Sequence, residues 1–510
     1  MSRARLVAAV PTLIAALLLL WRLDNGALWQ DEAQTALLSR SVLLHGVPLG
    51  MEGDNSFSQE LGVEFGPNAI WRWHTWLPFY LLAGFFRLFG QTTAVARLPF
   101  ALAGVATVAL CGPFAARLYR SRKVAGLAAA LLSICVPFLL LGRQSRYYTL
   151  AALLSLLSLH GYLRFRDGAR GGRILLCIAS TALFHTHYLY CATLWGTVGL
   201  HALWFQRARL RGLFAPLLAT ALLNFPFVLW LSRMPYGSHY QAALLQPRAW
   251  LDKALAFRDW LLGYVVPPAF SISLLVALAV ALYARRRGRL TFSQDLEGHA
   301  LVGLFVLSNL GLLIVVAPGG FARYLAPIVP PLLCGLAALL ADLSALHRAL
   351  PYALLVPFAL HNGLPQLCDE LTHRFEGPVD GLVQYLRAHS RPGQLLAITY
   401  EDLPLKFYLD LRVLGGLTGQ DLTPAQAADF IVLRHQTVCS KDQAVAEYLR
   451  SHVAWEKYRR VELAVPDTLF QNRENQPEHL FRTAVDRPRV VVYQRIDATE
   501  RGAGRPDAQP

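Results

Sequence analysis

The stretch that decides the fold class is residues 6–20, LVAAVPTLIAALLLL, a run without a single charged residue. A bilayer core about 30 Å thick needs about 20 apolar residues in a helix, and comparable runs recur as far as residue 362. Of the 510 residues, 55% are hydrophobic and only 16% are charged, whereas soluble domains carry roughly 25% charged residues. The sequence therefore predicts a polytopic α-helical membrane protein.

The first apolar run also has one feature of a secretory signal peptide, because Arg3 and Arg5 precede it. No small-residue cleavage site follows, however, and the run ends in the polar sequence Trp21-Arg22-Leu23-Asp24-Asn25. We therefore expect an uncleaved first helix over residues 6–22.

The net charge of +15 is distributed as arginine clusters between the apolar runs. The clusters are Arg117–Lys123, Arg164–Arg173, Arg207–Arg211 and Arg285–Arg289. They fall at every second boundary, as the positive-inside rule expects of cytoplasmic loops, so the charge does not indicate nucleic-acid binding. This pattern places the N-terminus in the cytoplasm and a first outer loop at about residues 24–91. Within that loop the apolar segment Leu77–Phe89 is predicted to lie at the interface, because a crossing would turn every later cluster outward.

On this topology about 11 transmembrane helices make up a domain over residues 1–365. The predicted spans are 6–22, 92–116, 124–141, 149–163, a hairpin of two short helices within 174–206, 212–231, 267–284, 299–317, 324–341 and 349–362. An odd number of spans places the C-terminal region on the outer face.

Residues 366–498 have frequent charges and short periodicities, which predict a small C-terminal α/β extracytoplasmic domain. The predicted strands and helices are Leu395–Tyr400, Phe430–Leu433 and Val490–Arg495, and Val379–His389 and Lys441–Arg450, respectively. In an oxidising compartment Cys368 and Cys439 could form a disulfide. Residues 499–510 are predicted to be disordered.

Many polar residues gather on the outer face of this topology. They are Asp31, Glu32, His74, Arg143, Arg146, Tyr147, Tyr148, His185, His187, Tyr188, His239, Tyr240, Arg323 and Tyr324. Arg143, Arg146 and Arg323 run against the positive-inside trend and call for an anionic partner. That partner could be the acidic first loop, a lipid headgroup or a phosphate substrate. Taken singly, each aromatic or basic residue also fits an interface anchor.

The adjacent acids Asp31 and Glu32 allow two interpretations. One is a general base for an acceptor hydroxyl, or a divalent metal site completed by His185 or His187 from a turn. The other is an acidic pair that caps an amphipathic helix over residues 32–45, whose first turn favours acids. Spacing alone does not separate the two.

Several segments together resemble the dolichyl-phosphate-mannose–protein mannosyltransferase-like family. They are Trp29-Gln30-Asp31-Glu32-Ala33, His45-Gly46-Val47-Pro48, Leu77-Pro78-Phe79-Tyr80, Ala96-Arg97-Leu98-Pro99, Gly142–Leu150, Thr186-His187-Tyr188 and Arg323-Tyr324-Leu325 before Pro327. The resemblance covers about residues 10–345. This family belongs to the C-type glycosyltransferase superfamily, which includes bacterial 4-amino-arabinose lipid A transferases.

The resemblance implies the C-type glycosyltransferase fold, a polyprenyl-phosphate-linked sugar donor and an inverting displacement at the anomeric carbon. It assigns the catalytic base to Asp31, with Glu32 in support. Positive charge for the phosphate leaving group would come from Arg323, Arg146, Arg143 and His74. The residues expected to bind substrate are Tyr147, Tyr148, His187, Tyr188, His239, Tyr240 and Tyr324.

The sequence departs from the family in the second outer loop. Several relatives carry an aspartate there that helps to bind metal, whereas this chain has Tyr147, Tyr148 and Thr149. A divalent metal therefore stays an open question, and no other cofactor is implied. The identity of the sugar and the acceptor (glycan, lipid or protein) is open as well.

Other function classes remain possible on the sequence alone. A flippase or transporter needs polar groups at mid-bilayer depth, where Asn224 and Asn309 are the notable examples. A non-catalytic assembly subunit and a transferase with a diphosphate-linked donor are further alternatives. Composition favours a multi-pass protein of a bacterial inner membrane with a periplasmic C-terminal domain.

Overall fold

In lipid, every backbone polar group must find a partner within the protein, so the apolar runs of this sequence form helices. The computed structural model describes residues 3–232, 247–287, 295–317, 319–374, 376–435, 439–468 and 488–496. The first ten helices are α1 Arg3–Leu20, α2 Gln30–His45, α3 Leu77–Phe89, α4 Thr93–Tyr119, α5 Arg122–Ser133, α6 Val136–Gly142, α7 Tyr148–Arg166, α8 Gly172–Thr186, α9 Tyr188–Phe205 and α10 Arg211–Ser232.

The remaining described helices continue the same numbering through the C-terminal region. They are α11 Pro247–Trp260, α12 Pro268–Arg286, α13 Leu296–Val316, α14 Val329–Leu343, α15 Leu350–Ala353, α16 Leu355–His361, α17 Leu364–Thr372, α18 Pro378–His389, α19 Asp402–Tyr408 and α20 Ser440–His452. The predicted tail 499–510 and the substrate-binding candidates His239 and Tyr240 lie outside the described residues.

Four described helices, α4, α10, α12 and α13, are long and apolar enough to cross a membrane. The pair α5 and α6 makes a fifth candidate, bent by 63° at residues 134–135. Here Pro137 stands in the first turn of α6, and the side chain of Asn362 accepts a hydrogen bond from the Val136 amide (2.5 Å). The helices that correspond to the other predicted spans do not meet the criteria of length and apolarity together, so the count of 11 stays a prediction.

Two late spans differ from their predicted bounds because of proline and local helix breaks. The predicted span 324–341 begins as a short 3-10 turn, Ala322–Leu325, and its helix starts only at Val329, where Pro330 and Pro331 occupy the first turn. The predicted span 349–362 is divided into α15 and α16.

The centre of the helical bundle is α4, which packs against α1, α5 and α7. Its membrane-crossing window is 61% buried, whereas those of α10, α12 and α13 are only 22–28% buried. The outer helices expose large apolar residues such as Leu222 and Leu275. Because lipid tails are as apolar as these side chains, such exposure fits helices that face the bilayer.

Residues 24–92 form a folded loop region on one end of the bundle. It contains α2, a two-stranded antiparallel ribbon of β1 Met51–Glu52 and β2 Asn55–Ser56, and α3. The helix α3 has 13 residues, so at about 20 Å it is too short to cross a bilayer. The interpretation of residues 32–45 as an amphipathic helix does not fit, because α2 buries polar as well as apolar side chains along most of its length.

The C-terminal region contains a five-stranded sheet, in the order β4-β3-β5-β7-β6. The strands are β3 Leu395–Ile398, β4 Arg412–Gly415, β5 Phe430–Val432, β6 Tyr458–Pro466 and β7 Arg489–Arg495. β3 runs parallel to β4 and β5, while β7 runs antiparallel to β5 and β6. The predicted strands correspond to β3, β5 and β7, and the sequence reasoning missed β4 and β6.

The C-terminal sheet and its helices dock on the first loop through α19, which packs against α2. The Gln30 amide donates to the Asp402 carboxylate (2.9 Å), and the Leu28 amide donates to the Tyr408 hydroxyl (2.9 Å). None of the seven cysteines forms a disulfide, so the bond between Cys368 and Cys439 that the sequence allows is absent, and both side chains are exposed.

Candidate active site

The first turn of α2 presents two adjacent acids at the junction of α1, α4 and the segment between α6 and α7. The helix begins after Trp29, whose backbone amide donates to the Glu32 carboxylate (3.3 Å). Carboxylates are stabilised there because the amide ends of the helix carry a partial positive charge. Asp31 and Glu32 nevertheless point into different surroundings.

Glu32 is completely buried and belongs to the scaffold of the site. Arg97 on α4 donates two bonds of 2.8 Å to its two carboxylate oxygens, and the Ser145 amide donates a third bond of 2.7 Å. Arg97 also donates to the carbonyls of residues 23, 25, 26 and 27. The pair therefore ties α4 to the segment between α1 and α2, which does not fit the predicted catalytic role of Glu32.

Arg97 is the residue that sequence reasoning missed. The sequence pattern marks it only as part of the segment Ala96–Pro99 and assigns it no role. The available signal was an arginine within an otherwise apolar run, since such a charge requires a buried partner.

Asp31 is placed differently, between two guanidinium groups. Its Oδ2 lies 3.7 Å from Nη2 of Arg146 and 3.7 Å from Nη2 of Arg323. Its side chain is 12% exposed, as against 0% for Glu32. Arg146 is held in place because it also donates to the Asp31 carbonyl (3.2 Å) and to the Thr35 hydroxyl (3.1 Å).

The electrostatics of this cluster favour an added anion. Burial is the largest influence on the pKa of Arg146 and lowers it, but Asp31 together with Tyr148 and Tyr147 outweighs burial and raises the pKa overall. Arg146 is therefore charged at neutral pH, and Arg323 keeps its charge as arginine does in proteins. Two positive charges thus face one carboxylate, and the ion-pair distances exceed the 2.7–2.9 Å of a tight charged hydrogen bond.

Aromatic rings form the wall of the cluster. The Arg146 guanidinium lies 5.7 Å from the Tyr147 ring, and that of Arg323 lies 5.9 Å from the Tyr324 ring, both within cation–π range. Tyr148 is buried beside Tyr147, with ring centroids 5.1 Å apart. Burial raises the pKa of Tyr147 well above its ordinary value, so this phenol stays protonated.

Two neutral histidines lie on either side of Tyr147. The ring of His74 is 5.6 Å from the Tyr147 ring, and that of His187 is 5.2 Å from it. Burial, followed by the charge of Arg146, lowers the pKa of His74 to about 3 and that of His187 to about 4. His74 therefore carries no positive charge at neutral pH, which contradicts its predicted role as a cation for phosphate.

His187 is positioned by the turn between α8 and α9, and Tyr188 stacks on it with ring centroids 5.7 Å apart. His185 points elsewhere, since its ring packs against Phe184 and Phe227. Of the predicted turn residues, His187 alone has a ring contact with Tyr147 among the described residues.

Arg143 serves the end of α1 instead of the cluster around Asp31. Its guanidinium donates to four carbonyls, those of Leu18, Leu19, Trp21 and Arg22, at 2.7–3.2 Å. Those carbonyls lie in the last turn of a helix or just beyond it, where no backbone partner is available. The predicted phosphate contact of Arg143 is therefore wrong, because its donors satisfy the backbone.

A divalent metal site, which the sequence leaves open, does not fit the side chains present. Among the described residues, no group of three or more histidines, cysteines or acids lies close enough to hold an ion. Asp31 faces two guanidinium groups, Glu32 is bonded to Arg97, and His185 lies among phenylalanine rings. A cation beside Asp31 would meet the charges of Arg146 and Arg323.

Solved structures with a similar fold were found, although no family model and no curated protein sequence matches the chain. The crystal structure of ArnT from Cupriavidus metallidurans bound to undecaprenyl phosphate has a TM-score of 0.59 at 14% identity, with 96% of this chain and 97% of that chain covered.

Two further structures are also similar. The archaeal oligosaccharyltransferase AglB from Archaeoglobus fulgidus, in complex with an inhibitory peptide and a dolichol-phosphate, has a TM-score of 0.50 at 10% identity over 96% of this chain and 76% of that one. The arabinofuranosyltransferase AftD from Mycobacteria has a TM-score of 0.51 at 17% identity over 98% of this chain and 40% of that one. The chain therefore has the fold of the C-type membrane glycosyltransferases.

Proposed function

We propose that the protein is an inverting glycosyltransferase that takes a sugar from a polyprenyl-phosphate-linked donor. The observation that carries the proposal is the position of Asp31, whose Oδ2 lies 3.7 Å from both Arg146 and Arg323. A carboxylate can accept the proton of an acceptor hydroxyl, and two guanidinium groups can stabilise a phosphate that leaves. The similar ArnT and AglB structures contain undecaprenyl phosphate and dolichol-phosphate, respectively.

The proposed reaction assigns a role to each of the three residues. The Asp31 carboxylate takes the proton of the acceptor hydroxyl as the acceptor oxygen bonds to the anomeric carbon. The bond between that carbon and the phosphate oxygen breaks, and its electron pair goes to the phosphate. Arg146 and Arg323 stabilise the charge that develops there, while Tyr147, Tyr148, Tyr188, Tyr324 and His187 provide surfaces for the donor sugar.

We further propose the orientation in the membrane. The C-terminal region contacts the loop 24–92, so both belong to the same face as Asp31. With the arginine clusters in the cytoplasm, this face is the periplasmic side of a bacterial inner membrane. The acceptor, whether glycan, lipid or protein, would meet the donor there.

The contacts of Asn309, the mid-span asparagine on α13, give little support to transport of a lipid-linked sugar. Asn309 accepts a bond from Thr193 (2.9 Å) and donates to the Phe305 carbonyl (2.8 Å), so it joins α9 and α13. Its amide therefore has a structural use.

The test is release of polyprenyl phosphate from a panel of polyprenyl-monophosphate sugars by the purified full chain. We expect Asp31→Asn to reduce the rate by about 100-fold or more, because a general base typically contributes that much. The matched control is Asp24→Asn, an exposed acid of the same loop, which should keep the wild-type rate. Equal rates for wild type and Asp31→Asn would refute the base assignment.

Arg323→Gln separates donor binding from proton transfer. Loss of one cation at the leaving phosphate is expected to cost about 2–4 kcal/mol of transition-state stabilisation and to weaken polyprenyl phosphate binding.

If wild type moved lipid-linked sugar across vesicles without releasing polyprenyl phosphate, the transport alternative would replace this proposal.

A further inference from the structure

A second cluster of arginines lies at the opposite end of the bundle from Asp31. Arg146 lies two residues before the start of α7, and Arg166 is the last residue of that helix. A helix of 19 residues is about 28 Å long, close to the thickness of a bilayer core. The two sites therefore stand at opposite membrane faces, and one phosphate cannot reach both.

A cavity of about 820 Å³ opens at this second site, between the ends of α4, α7 and α9 and the start of α13. The charged residues that line it are Arg117, Arg120, Arg166, Arg209, Asp167 and Glu297. Four guanidinium groups thus face two carboxylates, which leaves an excess of two positive charges around the cavity.

Arg166 is the fixed part of the site. It is only 6% exposed, unlike most loop arginines, and it contacts both acids, Asp167 at 2.9 Å and Glu297 at 3.4 Å. Asp167 also pairs with Arg117 at 2.9 Å. The two carboxylates are therefore both engaged with Arg117 and Arg166.

The excess charge belongs to Arg120 and Arg209. Both side chains are exposed at the cavity, and neither pairs with a carboxylate among the described residues. Arg209 donates to the Phe165 carbonyl (3.0 Å), which keeps it beside the end of α7. An ion-pair network with the buried Arg166 at its centre and partly exposed partners, flanked by two further guanidinium groups, is a suitable site for phosphate, which arginine binds through several donors at once.

We propose that this cavity binds a phosphate group, supplied by an anionic phospholipid headgroup or by a soluble phosphate ester. Basic pockets between transmembrane helices on the cytoplasmic side are known to accept phospholipid headgroups. The site is separate from the donor site and adds a second phosphate ligand on the other face.

The test uses the purified full chain in nanodiscs that contain phosphatidylglycerol, with bound lipid measured by native mass spectrometry. The variant Arg120→Gln/Arg209→Gln should bind phosphatidylglycerol more weakly by roughly tenfold or more. The control Arg285→Gln/Arg286→Gln removes the same charge from exposed positions at the end of α12 and should bind like wild type. Equal weakening by both pairs, or by neither, would rule out a phospholipid headgroup in this cavity, and the proposal would then stand or fall on the soluble ester tested below.

Two further measurements use wild type alone, so the proposal stays testable if a variant fails to fold. Hydrogen exchange at residues 117–120 and 206–209 should slow when phosphatidylglycerol is added, and slowing confined to residues 285–287 would contradict the site. Titration with glycerol 1-phosphate in detergent distinguishes the sources, because binding there indicates a soluble ester and binding only in nanodiscs indicates a lipid. Absence of binding in both arms would refute the site.

Discussion

Asp31 and Glu32 are neighbours in sequence with opposite environments, and the difference comes from the arginines they meet. Glu32 makes a buried two-bond pair with Arg97, while Asp31 faces Arg146 and Arg323 at 3.7 Å on the more accessible side of α2. Successive helix positions are about 100° apart, so adjacent residues must face different neighbours. This separation suits one acid for structure and the other for chemistry.

A stability measurement should distinguish the two acids. Glu32→Gln leaves Arg97 as an unpaired buried charge, so it is expected to lower the free energy of unfolding by about 3–5 kcal/mol. Asp31→Asn should change stability much less, because its pairs are longer and its side chain is partly exposed. Thermal unfolding of both variants in detergent checks this, and equal destabilisation would contradict the scaffold role of Glu32.

Because the pKa values of His74 and His187 are lowered in the folded protein, we expect its stability to depend on pH. Their pKa values of about 3 and about 4 lie below the ordinary 6.5, so the unfolded chain binds more protons than the folded one between these values. The free energy of unfolding is therefore highest above pH 6.5. It decreases by roughly 3 kcal/mol per histidine as the pH falls toward 4.

The comparison that isolates this effect is wild type against His74→Gln/His187→Gln. Lowering the pH from 7 to 4.5 should reduce the Tm of wild type more than that of the double variant. The exposed residue His45 provides the control, since His45→Gln should leave the wild-type profile unchanged. Parallel profiles for wild type and the double variant would rule out a stability contribution from the two neutral histidines.

At the scale of elements, close helix packing depends on small residues at particular contacts. A Cβ added at Gly161 on α7 would lie 2.7 Å from the backbone nitrogen of Leu176 on α8. Such a contact would force the two helices apart. Small residues at the interfaces of membrane helix bundles allow the backbones to approach closely.

Gly161→Ala should therefore lower stability, by about 1–3 kcal/mol as in other overpacked cores. The control is Gly199→Ala on α9, where a Cβ would meet nothing within 4 Å; alanine there should be neutral or slightly stabilising because it is the better helix former. Thermal unfolding measures both, and a neutral Gly161→Ala would mean that α7 and α8 can separate at little cost.

At the scale of the whole molecule, the C-terminal region and the first loop are joined by a buried charged network. Lys406 on α19 is fully buried and donates to Asp402 (2.6 Å) and to the Ser56 carbonyl in the first loop (2.8 Å). Asp402 in turn accepts from Gln30 next to Asp31. The sheet region thus contacts the helix that carries the proposed base.

Lys406→Met should leave the Asp402 carboxylate buried without its cation and cost about 3–5 kcal/mol. The double variant Lys406→Met/Asp402→Asn should recover much of this loss, because asparagine keeps the acceptor for Gln30 without a charge. Thermal unfolding and protease cleavage within residues 24–92 are the readouts. No recovery in the double variant would show that the Lys406 contact to Ser56 matters more than the charge.

The sequence by itself determined the fold class and the position of the central acid. Long apolar runs form helices in lipid, and the sequence pattern places Asp31, Arg146 and Arg323 on one face, where the structure brings both guanidinium groups to 3.7 Å from the Asp31 carboxylate. The strands β3, β5 and β7 were also predictable, because they are short apolar runs between polar segments.

Only the tertiary structure decided which charged residues are structural. Arg143 binds the end of α1, Glu32 binds Arg97, and His74 is neutral because burial and Arg146 act on it together. Each of these facts depends on partners far away in the chain, and a local pattern carries no information about them. Burial changes what a charged group costs, so Arg143 is used up by backbone carbonyls while Arg146 stays beside the more accessible Asp31.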